Sequence, residues 1–427
     1  MITVVIIFIL LLAIAGAPLF AVLAALAIAA FLSQGIEPVA VIIELYRMAA
    51  QPTLVAIPLF TYAGYLLAES GAPKRLVRVS HALFGWMPGG LAIVALATCS
   101  FFTAFTGASG VTIVALGGLL FPVLMREGYP EKFSVGLLTS SGSLGLLFPP
   151  SLPIILYALI ASISVDELFA AGVLPGLLLV IILSLYSIRI AKKESLPTQK
   201  FSWKEALAAL KEAGWELPLP LIILVGIYGG FFTAVEAAAI TAAYLIFVEV
   251  VIRRDIHPIR DLPRITRDST ILVGGILLIL GSALGLTNYL IDAQAPEAIF
   301  EFMRGAISSK WTFLIALNIF LLIVGSLMDI FSAIIVVVPL ILPIAQEFGV
   351  NPIHLGIIFL TNLEIGYSTP PVGLNLFISS FRFKKPIVML YKAALPFIGM
   401  MLIALMIITY WEDLSMFLVR LIFGGGE

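Results

Sequence analysis

Gly145-Leu146-Leu147-Phe148-Pro149-Pro150 interrupts one long apolar stretch of this 427-residue chain, and Gly366-Tyr367-Ser368-Thr369-Pro370-Pro371 interrupts another. A shift of 221 positions superimposes the two segments, and the same shift carries Pro122 onto Pro343 and Gly128 onto Gly349. Several matches at one ungapped offset indicate an internal duplication. Glycine and proline both weaken a helix, proline because it lacks an N–H and clashes with the preceding turn. A proline kink alone is ordinary in a membrane helix. Two kinks, each beside a glycine and each behind a short hairpin-like stretch, point to a transporter with its binding site near the middle of the bilayer.

The composition sets the solvent. With 61% hydrophobic and 11% charged residues and a mean hydropathy of +1.14, the chain is a polytopic membrane protein, since soluble domains carry about a quarter charged residues. Its net charge of -1 suggests no nucleic-acid partner. The lone Cys99 rules out an intrachain disulfide and a cysteine metal cluster; it reads as a small buried apolar residue. His81, His257 and His354 fall on different segments, which argues against a histidine metal site. The first residues are apolar from Ile2 without a basic lead-in, and the stretch to Phe31 is too long for a signal-peptide core, so it is expected to stay as a membrane anchor.

Spans are expected near 3–32, 53–69, 133–163, 168–190, 216–233, 235–252, 270–290, 353–380 and 386–410, with a short helix near 413–423. As straight helices, 3–32 and 133–163 would each reach about 45 Å, so they must tilt or break. Lysine and arginine orient the set. Lys192, Lys193, Lys200, Lys204 and Lys211 mark one cytoplasmic loop, and Arg253, Arg254, Arg260, Arg264 and Arg267 mark another. Walking outward places a loop with Lys74, Arg75 and Arg78, a turn with Arg126 and Lys132, and a loop with Arg382, Lys384 and Lys385 on the same side. Asp166, Glu167, Asp292, Glu297, Glu301 and Glu347 collect outside, where Arg304 and Lys310 are the exceptions. Segment 201–212 reads as an amphipathic helix on the inner interface, anchored by Trp203.

The fold class that follows is an all-α polytopic membrane protein built from two inverted-topology repeats, the architecture of an alternating-access transporter. The first repeat, 1–190, holds a hairpin at 88–125 and a broken helix at 133–163. Residues 191–252 supply the interfacial helix and connecting spans, and 253–427 form the second repeat, with a hairpin at 311–346 and a broken helix at 353–380. Five crossings separate the hairpins, so the repeats run in opposite senses. The arms 88–101 and 311–325 would rise only about 21–23 Å, short of a core of roughly 30 Å, which favours re-entrant hairpins. The small, polar tip Thr103-Ala104-Phe105-Thr106-Gly107-Ala108-Ser109-Gly110 suits backbone that lines a cavity.

Where a helix breaks, orphan carbonyls suit sodium and orphan amides suit a carboxylate. The first half offers Thr106, Gly107, Ser109, Ser140, Ser141, Gly142, Ser143, Gly145 and Ser151; the second offers Gly325, Ser326, Asp329, Ser332, Asn362, Gly366, Ser368, Thr369 and Gly373. Asp329 stands out as a carboxylate in a run otherwise uncharged from Trp311 to Gln346; its plainer role is to N-cap the returning helix on Phe331 or Ser332. Glu364 is the next candidate, as ligand or structural carboxylate. Arg47 reads as a residue that snorkels to an interface. No phosphate-loop, zinc or nucleophile motif occurs, so the chain is not expected to be an enzyme and no catalytic residue is assigned.

At Phe105–Thr112, Ser143–Ser151, Gly325–Asp329 and Glu364–Gly373 the chain resembles the large membrane subunit of tripartite ATP-independent periplasmic (TRAP) transporters, DctM-like, within the ion transporter superfamily. The resemblance implies sodium-driven uptake of an organic acid, such as a C4-dicarboxylate or sialic acid, in the bacterial inner membrane. It implies two partners, a small membrane subunit of about four helices and a soluble periplasmic substrate-binding protein, and an elevator mechanism. It also implies one sodium near Thr106, Gly107, Ser109 and Gly145, another near Gly325, Gly366 and Thr369, and substrate contacts from Ser109, Ser151, Asp329 and Thr369. Two other readings are a stand-alone ion-coupled carboxylate or arsenite permease of the same superfamily, and a membrane-embedded enzyme or structural subunit.

Overall fold

The computed structural model describes residues 5, 7–9, 11–12, 16–196, 200–294, 301 and 309–424; Ile2, Glu297 and Arg304 lie outside them. Every regular element among these residues is helical. The stretch 3–32 is not one rod. Helix α1 (Leu19–Ser33) starts after Pro18, and Gly16 before it has φ +94°, a conformation that favours glycine. Helix α2 (Val39–Ala49) is amphipathic and leads through a short turn at Pro52–Val55 into α3 (Ala56–Glu69). The expected loop with Lys74, Arg75 and Arg78 is instead an amphipathic helix, α4 (Ala72–Phe84), bent 74° from the segment before it. Its apolar residues Leu76 and Val79 turn inward, which a loop reading from charge alone misses.

Each stretch expected as a hairpin is a pair of helices joined by a short turn. Helices α5 (Gly90–Thr106) and α6 (Ser109–Arg126) form the first, and a broken helix follows: α7 (Glu131–Ser141), a tight turn at Leu144–Leu147, and α8 (Leu152–Ala161). After the long α9 (Val165–Lys193), which overruns the expected boundary at 190, come α10 (Trp203–Glu212), α11 (Pro218–Tyr228), α12 (Ala234–Ile246) with a wider π turn to Ile252, and α13 (Leu262–Asp292). The second hairpin, α14 (Lys310–Leu327) and α15 (Ile330–Glu347), precedes α16 (Pro352–Gly366), a break, and α17 (Leu374–Phe383). Helices α18 (Ile387–Tyr410) and α19 (Glu412–Phe423) complete the chain.

The shift of 221 residues carries the ends of α6 onto those of α15 without error. Gly128 and Gly349, two residues past these ends, both take positive φ, and Tyr129 N and Val350 N donate back to Leu124 O and Ala345 O. These are left-handed terminations in which glycine avoids a Cβ clash. Both Pro-Pro bonds are cis. Helix α5 packs on the first break and α14 on α16; α15 packs on α8, and α6 on α17.

Among the described residues seven helices are long and apolar enough to cross a bilayer, which makes this a multi-pass membrane protein. Three revisions follow. The hairpin helices have 17 or 18 residues, about 26–27 Å, so arm length does not separate re-entrance from full crossing. The span expected at 216–233 is helical only over Pro218–Tyr228. The basic segment 253–267 is part helix, because α13 already carries Arg264 and Arg267.

Glu216, ahead of α11, belongs to an ion cluster. Arg75 Nη2 lies 2.7 Å from Glu216 and 3.3 Å from Glu249, and its Nη1 lies 2.7 Å from Asp255; both glutamates are fully buried. The cluster ties α4 to the segments around α11, the π turn and the loop beyond. Arg78 pairs with Glu205 and Glu212 of α10, which fixes that helix against α4 while leaving Trp203 exposed.

Candidate functional site

The first hairpin tip and first break form one packed unit. Thr103 Oγ1 donates 2.9 Å to Gly142 O and lies 2.7 Å from Thr112 Oγ1, so a single hydroxyl ties both hairpin arms to the break. Gly145 has no room for a side chain, because a Cβ would strike Ser100 O and Ala104 N of α5. Gly107 caps α5 with φ +61°, and a Cβ there would meet Leu152, the first residue of α8. Thr106, Ser109 and Ser151 are buried around this contact. Of the four residues expected to hold one sodium, Thr106, Gly107 and Ser109 lie at the hairpin tip, while Gly145 lies in the break against Ser100, Thr103 and Ala104 of α5.

The second half repeats the arrangement. A Cβ on Gly366 would lie 2.5–2.9 Å from the backbone of Gly325, so the break and α14 touch main chain to main chain. Gly325 stands at the position that the 221-residue shift assigns to Ala104. Gly373 N donates 3.0 Å to Ser326 O, and Ile330 N donates to the Tyr367 hydroxyl, which fastens the tip to the break. Thr369 Oγ1 is engaged with Ile365 O at 2.9 Å. Asp329 takes the capping role: its Oδ1 accepts from Phe331 N and Ser332 N, both at 3.0 Å, and its Oδ2 accepts from Ser332 Oγ. That holds the carboxylate at the mouth of the second hairpin. Among the described residues, no hydrogen bond joins Ser109, Ser151, Asp329 and Thr369 to one another.

The two breaks are bonded to each other. Ser143 Oγ donates 3.3 Å to Glu364 O, Thr139 Oγ1 donates 2.8 Å to Ser379 Oγ, and Asn375 Nδ2 donates 3.3 Å to Thr139 O. Ser143 and Glu364 are themselves 221 residues apart, each at the same place in its own half. Buried side-chain oxygens without a donor occur in both halves: Ser140, Ser151, Ser368, Asn362, Asn375 and both oxygens of Glu364. Such groups are costly unless something binds them, and an all-oxygen set suits a cation.

Sequence reasoning missed Thr139, Asn375 and Ser379, and gave Thr103, Thr112 and Tyr367, which fall inside its motifs, no bonding role of their own. The available signal was polarity inside apolar helices, as with Asn375 and Ser379 one turn apart on α17. It also missed Gly64 of α3, where a Cβ would press on Phe105 O at the first tip. Arg47 lines a cavity of about 710 Å³ with Asp166, Thr233 and Asn288, on the α8–α9 side of the molecule.

Comparison with known proteins agrees with this geometry. Residues 4–414 match the family described as "Tripartite ATP-independent periplasmic transporter, DctM component". The chain is 39% identical over 398 residues to the C4-dicarboxylate TRAP transporter large permease protein DctM of Vibrio cholerae serotype O1, covering 88% of this chain and 87% of that one. It is 33% identical over 373 residues to the ectoine TRAP transporter large permease protein TeaC of Halomonas elongata, covering 87% of each. Against the isethionate TRAP transporter permease protein DctMQ of Oleidesulfovibrio alaskensis it is 33% identical over 94% of this chain and 64% of that protein. The solved YdaH transporter of Alcanivorax borkumensis shares the fold, with a TM-score of 0.63 and 13% identity over 88% of both chains. These relatives are permease subunits and not enzymes. The family match over residues 4–414, with relatives 39% identical over most of both chains, shows that the chain belongs to the DctM components of the tripartite ATP-independent periplasmic transporters.

Proposed function

We propose that this chain is the large permease subunit of a sodium-coupled importer of an organic acid in the bacterial inner membrane. The observation that carries the proposal is the meeting of two hairpin tips with two mutually bonded breaks, in a family whose relatives include C4-dicarboxylate permeases. The two halves act as inverted repeats with re-entrant hairpins. Support comes from the shared 221-residue offset and from buried tips at Thr106, Gly107 and Ser109. One sodium sits by Thr106, Gly107, Ser109 and Gly145, and another by Gly325, Gly366 and Thr369. The substrate carboxylate lies between the tips, against Ser109, Ser151 and Thr369, with Asp329 at the rim. The hairpins and broken helices move together as an elevator against the remaining helices. A small membrane subunit of about four helices completes the permease, and a periplasmic binding protein delivers the substrate.

Reconstitution tests this. Labelled succinate is expected to accumulate in proteoliposomes only with the chain, the small subunit, the binding protein and an inward sodium gradient together. Uptake by the chain alone would favour the stand-alone permease, and uptake unchanged with potassium in place of sodium would refute the coupling ion. Asp329→Asn separates charge from capping, since asparagine caps as well as aspartate. It should leave a folded complex and lower uptake about tenfold, equivalent to ~1.4 kcal/mol. Uptake equal to wild type would leave Asp329 as a cap only.

A further inference from the structure

Helix α10 presents four different faces. At about 100° per residue, Trp203, Leu207 and Leu210 fall in one apolar stripe about 60° wide. Ala206 and Ala209 lie about 90° to one side of the stripe and are buried, Ala209 clustering with Val79 of α4. Lys204 and Lys211 lie about 90° to the other side, and Glu205 and Glu212 stand opposite the stripe.

Only the side against α4 is covered. Trp203 is 80% exposed and Leu207 70%. The apolar row continues beyond the helix: Phe201 sits edge-on between Trp203, with ring centres 5.0 Å apart, and Trp86, at 6.4 Å, and both Phe201 and Trp86 are exposed. A contiguous apolar row on an otherwise charged helix marks an interaction surface. Tryptophans along it suit the boundary between lipid and water.

The charges decide what covers it. Both glutamates of α10 are taken by Arg78, on the side away from the stripe. Among the described residues, no ion pair or hydrogen bond reaches the side chain of Lys200, Lys204 or Lys211. The helix therefore keeps unpaired positive charge along one edge of its apolar stripe, while its negative charge is already neutralised. With the stripe in the bilayer, those lysines lie at the level of the headgroups, and their long stems reach outward to them. Lipid phosphates are the anions found at that depth.

We propose that α10 is a binding site for anionic phospholipid of the cytoplasmic leaflet, with acyl chains against Trp203, Leu207 and Leu210, headgroup phosphates on Lys204 and Lys211, and Lys200 at the edge. Bound lipid holds α10 at the membrane and, through Arg78, holds α4, which leads into the first hairpin. The inference rests on the inner-membrane placement proposed above, which puts these lysines on the cytoplasmic side.

Lipid quenching tests this without any transport assay, so its failure is distinguishable from failure of the importer reading. The chain with its small subunit is reconstituted in phosphatidylcholine vesicles that carry a minor share of brominated phosphatidylglycerol or, in parallel, of brominated phosphatidylcholine. Both leaflets hold the probe, so the result does not depend on orientation. Bromine quenches tryptophan on contact, and subtracting Trp203→Phe isolates Trp203 among the five tryptophans of the chain. Brominated phosphatidylglycerol should quench Trp203 severalfold more than its neutral counterpart. A lysine near an anionic surface is worth about fivefold in affinity, so the double variant Lys204→Gln, Lys211→Gln should lose the preference. Salt at about 1 M should abolish it in the wild type as well, by screening, and needs no variant. Equal quenching by the two lipids overturns the proposal, as does a preference that survives salt and both substitutions. Quenching by neither lipid overturns it too, because the stripe is then covered by protein, such as the small subunit.

Discussion

Gly366→Val is expected to unfold this protein or strip it of activity, at a cost of about 3 kcal/mol or more. The Cβ would land 2.5 Å from Gly325 C and 2.6 Å from its Cα. Main chain cannot swing aside as a side chain can, so α14 would have to leave α16. That separation would also break the bond between Asn362 and Asn318. Gly325→Val should do the same from the other side, because Leu363 Cα lies 2.9 Å and Gly366 Cα 3.3 Å from its would-be Cβ. Gly399→Ala is the control, since nothing lies within 4 Å of that position. Cys99, buried and the only thiol, reports unfolding through its reaction with a thiol-specific dye on heating. Equal melting of Gly366→Val and Gly399→Ala would show that the close approach does not hold the second half together.

Arg75→Met should cost about 3–5 kcal/mol, because it leaves buried Glu249 without its cation, whereas Glu216 keeps Arg253 Nε at 3.6 Å. Glu216 and Glu249 are wholly inaccessible, and Arg75 is the group that lies near both and Asp255. Arg78→Met is expected to do far less, since its partners Glu205 and Glu212 are exposed to water. Acid should reveal the same cluster. Burial alone would raise the carboxyl of Asp255, but Arg75 and the Gly71 N–H hold it below the ordinary aspartate range. A carboxyl with a lowered folded value contributes stability that is fully present above the ordinary value and lost as pH falls through the lower one. Arg75→Met should therefore flatten the acid limb of thermal stability against pH. A limb as steep as in the wild type would remove Asp255 from the account.

Much of the architecture was legible because the bilayer leaves few choices. Apolar length, proline and glycine breaks and the sites of lysine and arginine are one-dimensional signals, and they led to most of the helices and to the interruptions at the two Pro-Pro pairs. The same signals failed where an amphipathic helix carries its charge on one face, as α4 does, since a list of basic residues does not distinguish it from a loop. Arm lengths failed similarly, because apolarity does not show where a helix ends. Capping by Asp329 was foreseen from its place before a returning helix, which is a local matter.

By itself the sequence determined a helical, membrane-spanning chain, and the residues in its breaks that resemble one transporter family. Only the tertiary structure decided which of them meet. It set Gly366 against Gly325, Ser143 against Glu364, and Arg75 among three carboxylates from distant segments. The physical reason is that breaks and charges are written into local chemistry, whereas a buried oxygen without a donor, or a glycine without room for a Cβ, exists only once remote parts of the chain have packed together.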